Sequence, residues 1–141
     1  MAPKDFEQIG KRGIYRPVAT VSFEQAIEMV AAVMRDARAL ELTDLLVNAK
    51  GLTGFASPSV FGRYNMAVEW ARSTAGALRV ALVVRPEQMD PQKIAVLMAQ
   101  NRGVVGDVFL NEADALVWLD GHLTSATGTS PAAFPALKPE R

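Results

Sequence analysis

The chain has 141 residues, half of them apolar and 21% charged, with 15 Lys+Arg balanced by 15 Asp+Glu. That is the profile of one globular domain with its own core, and a net charge of zero gives no global drive toward nucleic acid or an anionic membrane. Cysteine is absent, which excludes disulfides, thiolate nucleophiles and thiolate metal sites.

The first segment, "MAPKDFEQIGKRG", is polar and glycine-punctuated, has no apolar signal core, and reads as a flexible arm over residues 1–13. "IYRPVATV" carries β-formers around Pro17. Proline has no N–H to give a central strand, so an edge strand or an extended lead-in is expected there. Ser22 and Gln25 have the spacing of a capping box, and Phe23, Ala26, Ile27, Val30, Met34 and Ala37 recur behind it at helical intervals. A helix over residues 23–40 follows. "DLLVNAKG" reads as a strand, and "GLTGFASPSVFGRYN" connects it to a second helix over residues 58–74. In that connection Ser57 suits the N-cap, Pro58 the first helical position, and Phe55 a hydrophobic staple.

"LRVALVV", residues 78–84, is aliphatic on both faces, as a central strand of a parallel sheet requires. Asp90 and Pro91 open a third helix that Gly103 stops, and "VVGDVFL" supplies a further strand. Asn111 caps a last helix with Ala115, Leu116 and Leu119 on its buried side and Gly121 at its end. From His122 onward the composition turns to Ser, Thr, Gly and Pro without periodicity, and residues 122–141 are expected to be a disordered tail. Strand and helix alternate throughout. This order calls for right-handed crossovers and an α/β domain over residues 14–121, with one mostly parallel sheet and about four helices. No apolar run is long enough to cross a bilayer, so a cytoplasmic location is the default, and a neutral chain of this kind is prone to homodimerise.

Ligands of open α/β sheets sit beyond the carboxyl ends of the strands, here the loops at residues 49–57 and 85–90 and the surroundings of Asn111. Neither GxxxxGK[ST] nor GxGxxG occurs; Gly51 and Gly54 form only a GxxG, with no lysine placed to read phosphate. The single histidine, His122, has no companion ligand, so neither a metal, a cofactor nor a histidine triad is expected. Glu69, Glu87, Asp90, Asp107 and Glu112 keep a carboxylate enzyme as a third reading. The loop-to-helix junction is more specific. Gly54, Ser57, Ser59 and the unpartnered N–H groups of a helix start, with Arg63 one turn in, could hold an anion. Phe61, Tyr64, Val68 and Ala71 share one helical face with Trp70 beside it, which is the pattern of core packing. Exposure of Tyr64 or Trp70 next to Phe55 would instead mark an apolar pocket or an interface.

In this order along the chain, "IYRPVATVSFEQAIEMV", "LLVNAKGLTGFASPSVFGRYNMAVEWA", "VALVVRPEQMDP", "NRGVVGDVF" and "EADALVWL" resemble small bacterial STAS-like proteins. These are the SpoIIAA-like group, named for its likeness to anti-sigma-factor antagonists and related in fold to CRAL-TRIO lipid-binding domains. The resemblance covers residues 14–119. It implies a four- or five-stranded sheet with helices mostly on one side, no enzymatic activity, and a regulatory protein partner docking before the second helix. By position Ser57 or Ser59 takes the place of the phosphorylated serine of the antagonists, but Asn48 and Lys50 stand where those proteins carry an acid. The expectation is therefore a non-enzymatic regulatory or protein-interaction domain working through residues 51–63, with Gly54, Phe55, Ser57, Ser59, Arg63, Tyr64 and Trp70 as contact residues. The alternative is a carrier of a small apolar or acidic, lipid-like ligand, with Phe55, Phe61, Tyr64 and Trp70 around its body and Arg63 at its head.

Overall fold

The computed structural model describes residues 5–56, 59–89 and 93–128. In chain order it contains β1 (Phe6–Ile9), β2 (Arg12–Tyr15), β3 (Ala19–Thr20), α1 (Phe23–Ala39), β4 (Asp44–Asn48) and β5 (Leu52–Thr53). There follow α2 (Val60–Thr74), β6 (Arg79–Val83), α3 (Ile94–Asn101), β7 (Val105–Phe109) and α4 (Glu112–Gly128). The main sheet has the order β1-β2-β4-β6-β7, parallel throughout except for the β1–β2 hairpin. The expected α/β class, mostly parallel sheet and four helices are all present.

The alternation of side chains along the strands builds two cores. Leu45, Val47 and Val80 face Val30, Val33 and Met34 of α1, with Trp70 of α2 packed against them. Leu46, Ala81 and Val83 point the other way, onto Ala115 and Leu119 of α4. Through Ala67, Ala99 and Val104, α3 packs beside α2 and β7. Each fully buried leucine contributes about 2 kcal/mol, so covering both faces of the central strands, rather than helix propensity, holds the layers together. The α1 cap is the expected one: Gln25 N–H donates to Ser22 Oγ at 3.0 Å, and Ser22 N–H donates back to Gln25 Oε1 at 2.9 Å.

Four expectations are corrected. Residues 6–9 and 12–15 pair as a hairpin where an arm was expected. The anchor is Phe6, whose ring lies so close over Gly13 that a Cβ there would come within 2.8 Å of it. Consequently β2 is an interior strand and β1 the edge, and β2 ends at Tyr15, before Pro17 can interrupt the ladder. The N-cap of α2 is Ser59, whose hydroxyl accepts Gly62 N–H at 3.0 Å, and the helix starts at Val60. Ser57 and Pro58, expected as cap and first residue, lie outside the described residues, as do Asp90 and Pro91, expected to open α3. The inward face of α2 is Met66, Ala67, Trp70, Ser73 and Thr74, not the face of Phe61 and Tyr64. Phe61 is 72% exposed. The indole sets this rotation: it packs on the α1 core and its Nε1–H donates to the Ile27 carbonyl at 3.4 Å. Finally, α4 runs through Gly121 and His122 to Gly128, because one glycine costs a helix only about 1 kcal/mol and does not by itself end it. The expected tail beyond residue 128 lies outside the described residues.

Candidate functional site

Beyond the carboxyl end of β4, the Asn48 side chain accepts Lys50 N–H at 3.1 Å and turns the chain into a short 3-10 turn, after which β5 pairs in parallel with β3. Gly51 and Gly54 flank β5. A Cβ on Gly51 would sit 2.6 Å from the Pro17 carbonyl oxygen, and one on Gly54 would sit 2.7 Å from that of Val21. Gly54 also has φ +103°, which disfavours any side chain. The GxxG is therefore a clasp that seats β5 against β3. Phe55 then packs on Phe23 of α1, ring centroids 5.6 Å apart, instead of stapling α2.

The clasp forms one wall of a cavity of about 190 Å³. Leu52 and Phe55 come from the loop, and Phe23, Ile27 and Val30 from the first half of α1. Met66 and Trp70 of α2 face them, and Leu82, Val84 and Val108 close the side toward the sheet. Among the described residues the charged lining is Arg63, Arg85 and Lys93 against Glu87. The cavity thus lies beyond the carboxyl ends of β4 and β6, where parallel sheets place their ligands.

The polar groups at the mouth are held in place. The Arg85 guanidinium bonds Glu87 at 2.8 Å and donates to the Lys50 carbonyl, while Arg85 N–H donates to Gln88 Oε1 at 2.9 Å. A backbone N–H and then Arg85 hold the Glu87 carboxyl below its ordinary range. Lys93, in a left-handed backbone conformation at the start of α3, reaches Asp107 at 3.1 Å. Behind the β4 end, Glu112 accepts from Arg16 at 2.8 and 3.0 Å and from Asn48 Nδ2 at 2.8 Å. These bonds, that of Arg16 first, hold its carboxyl down to about 2 against the opposing effect of burial.

Of the residues picked from sequence, Phe55, Arg63 and Trp70 meet in the cavity. Gly54 holds the loop, and Ser59 is engaged as a helix cap. Tyr64 is elsewhere: Arg102 stacks on its ring at 4.8 Å and donates to its hydroxyl at 3.2 Å. Phe61 points to solvent. The acids do not converge. Glu69 pairs with Arg35 and Arg72, Glu87 with Arg85, Asp107 with Lys93 and Glu112 with Arg16, and Asp90 lies outside the described residues. Arg85 and Lys93 were not singled out from sequence, although the strand-end rule had already named the loop that carries Arg85. Phe23 and Ile27 read as core because a cavity-facing stripe has the same period as a core-facing one.

Among the described residues no group of His, Cys, Asp and Glu is placed to hold a metal ion, and no helix is long and apolar enough to cross a membrane. No protein-family model matches the chain, and no curated protein matches it in sequence.

Proposed function

We propose that this domain binds a small amphipathic acid, with the apolar body in the cavity and the anionic head at the basic mouth. The observation that carries this reading is the lining itself: apolar and aromatic walls, with three cationic side chains to one acidic one among the described residues. An engineered apolar cavity of about 150 Å³ accepts benzene, so the about 190 Å³ here suits an acid with a body of similar or slightly larger size. Arginine and lysine bind a carboxylate through charge-assisted hydrogen bonds, which are stronger than neutral ones. The role is non-enzymatic, a reading supported by the separate ion pairing of the described acids and by the STAS-like resemblance.

A second reading, docking of a regulatory protein at residues 51–63, is favoured by Phe61, which stands 72% exposed in the first turn of α2. Calorimetric titration with sodium decanoate, and with decanol as the uncharged control, separates the two. Decanoate is expected to bind saturably and more tightly than decanol, with roughly tenfold weakening in Arg63→Leu from the loss of a charge-assisted contact and no change in Phe61→Ser. Equal, weak uptake of acid and alcohol, or no uptake, would sink the carrier reading and leave the docking surface.

A further inference from the structure

A second cavity, of about 50 Å³, adjoins the first and extends into the space between α2, α3 and the sheet. Met66, Trp70, Leu82, Val96 and Val108 line both chambers. The inner one is lined in addition by Ala67, Ala99 and Val104, all buried. We infer that the two chambers accommodate one ligand, a single unbranched carbon chain with a terminal carboxylate, and that the inner chamber sets the longest chain accepted. This rests on the carrier reading above and adds the ligand's shape and direction.

Direction follows from charge. Arg63, Arg85 and Lys93 line only the outer chamber. Among the described residues the inner chamber carries one charged side chain, Asp107, whose Oδ1 accepts from Lys93 Nζ at 3.1 Å and from Val108 N–H at 2.8 Å. Among the described residues a carboxylate pushed inward would meet no cationic lining side chain and one carboxylate, Asp107, already paired with Lys93, whereas a methyl end meets Ala99 and Val104. Shape follows from the shared walls. Met66 lines both chambers, and its unbranched thioether changes rotamer easily, which suits passage of a narrow chain better than of a rigid ring. An inner volume of about 50 Å³ leaves room for roughly three to five methylene-sized groups, taking about 10–15 Å³ for each water-sized one.

The test is a calorimetric series with the sodium salts of octanoic, decanoic, dodecanoic and tetradecanoic acids, each below its micelle concentration, on the full chain and two variants. In the wild-type protein affinity should rise about fourfold for every methylene that finds room, up to a limiting length beyond which it stops rising. Ala99→Leu fills the inner chamber and should move that limit to a shorter chain; Val104→Ala enlarges it and should move the limit to a longer one. Circular dichroism checks that each variant is folded, and Val104→Ala decides alone if Ala99→Leu is not. One limit common to all the folded proteins, or a compact aromatic acid binding more tightly than every linear one, overturns the chain-length assignment while leaving the carrier reading intact. No binding of any acid to the wild-type protein overturns both.

Discussion

Arg12, Asp44 and Arg79 stand opposite one another at the amino ends of β2, β4 and β6, whereas at the carboxyl ends β4 and β6 run out around a cavity. At the amino end the charges pair with one another, although Arg79 Nε is buried there with no hydrogen-bond partner. Asp44 is 2% exposed and is bonded by Arg12 at 2.9 Å, with Arg79 at 3.8 Å; Arg12 also reaches Asp120 of α4 at 2.9 Å. A buried carboxylate is tolerable only with such partners, because its desolvation cost is offset by the facing guanidiniums. At the carboxyl end the Arg85 and Lys93 partners, Glu87 and Asp107, are themselves partly or largely exposed, and apart from Gln88 the uncharged cavity lining among the described residues is apolar. One edge of the sheet is closed by charge pairing within the fold. The other combines positive charge with unfilled apolar space, and that combination suits a ligand.

The comparison can be broken most forcefully at the amino end. Asp44→Ala removes the buried carboxylate between Arg12 and Arg79, leaving Arg12 only its bond to Asp120, and should cost about 3–5 kcal/mol, read as a lower urea midpoint. The fraction still folded should bind decanoate as before, since Asp44 is remote from the cavity lining. A loss under about 1 kcal/mol would mean that the buried pair does not hold that edge. At the carboxyl end Gly54→Ala forces an alanine into φ +103° and against the Val21 carbonyl, with an expected cost of about 2 kcal/mol. Because the clasp is a wall of the cavity, ligand affinity should fall with stability; unchanged values for both would separate the clasp from the site.

The smallest effect concerns Glu112→Gln. The folded-state pKa of Glu112, about 2, lies below the ordinary 4.5. Its contribution is therefore complete above about pH 5 and is lost as pH falls toward 2. Arg16 is about half exposed, and solvent screening reduces such pairs, so a loss of about 1 kcal/mol at pH 7 is expected. Urea unfolding curves of the variant and the parent should draw together as pH approaches 2. A gap of constant size across that range would assign the effect to something other than ionisation.

What could be read in the sequence was what depends on near neighbours and on period. The Ser22–Gln25 box, the α1 stripe, the aliphatic run of β6 and the Asn111 cap, which accepts Asp114 N–H at 2.8 Å, all belong to this class. So does the strand-end rule, which located two of the loops at the mouth and, with Arg63 and Phe55, part of the lining. The tertiary structure decided matters of distance and rotation. Phe6 found a seat over Gly13, which made a strand of a polar segment. Trp70 turned α2 so that Met66 faced inward and Phe61 outward. The spacing of α1, α2 and α3 over the sheet left space between apolar side chains that would otherwise have formed an ordinary core. Periodicity determines which face of an element is apolar, because that is local. Whether the face meets a neighbour or a cavity depends on side-chain volumes contributed from distant parts of the chain, and only the folded packing brings those together.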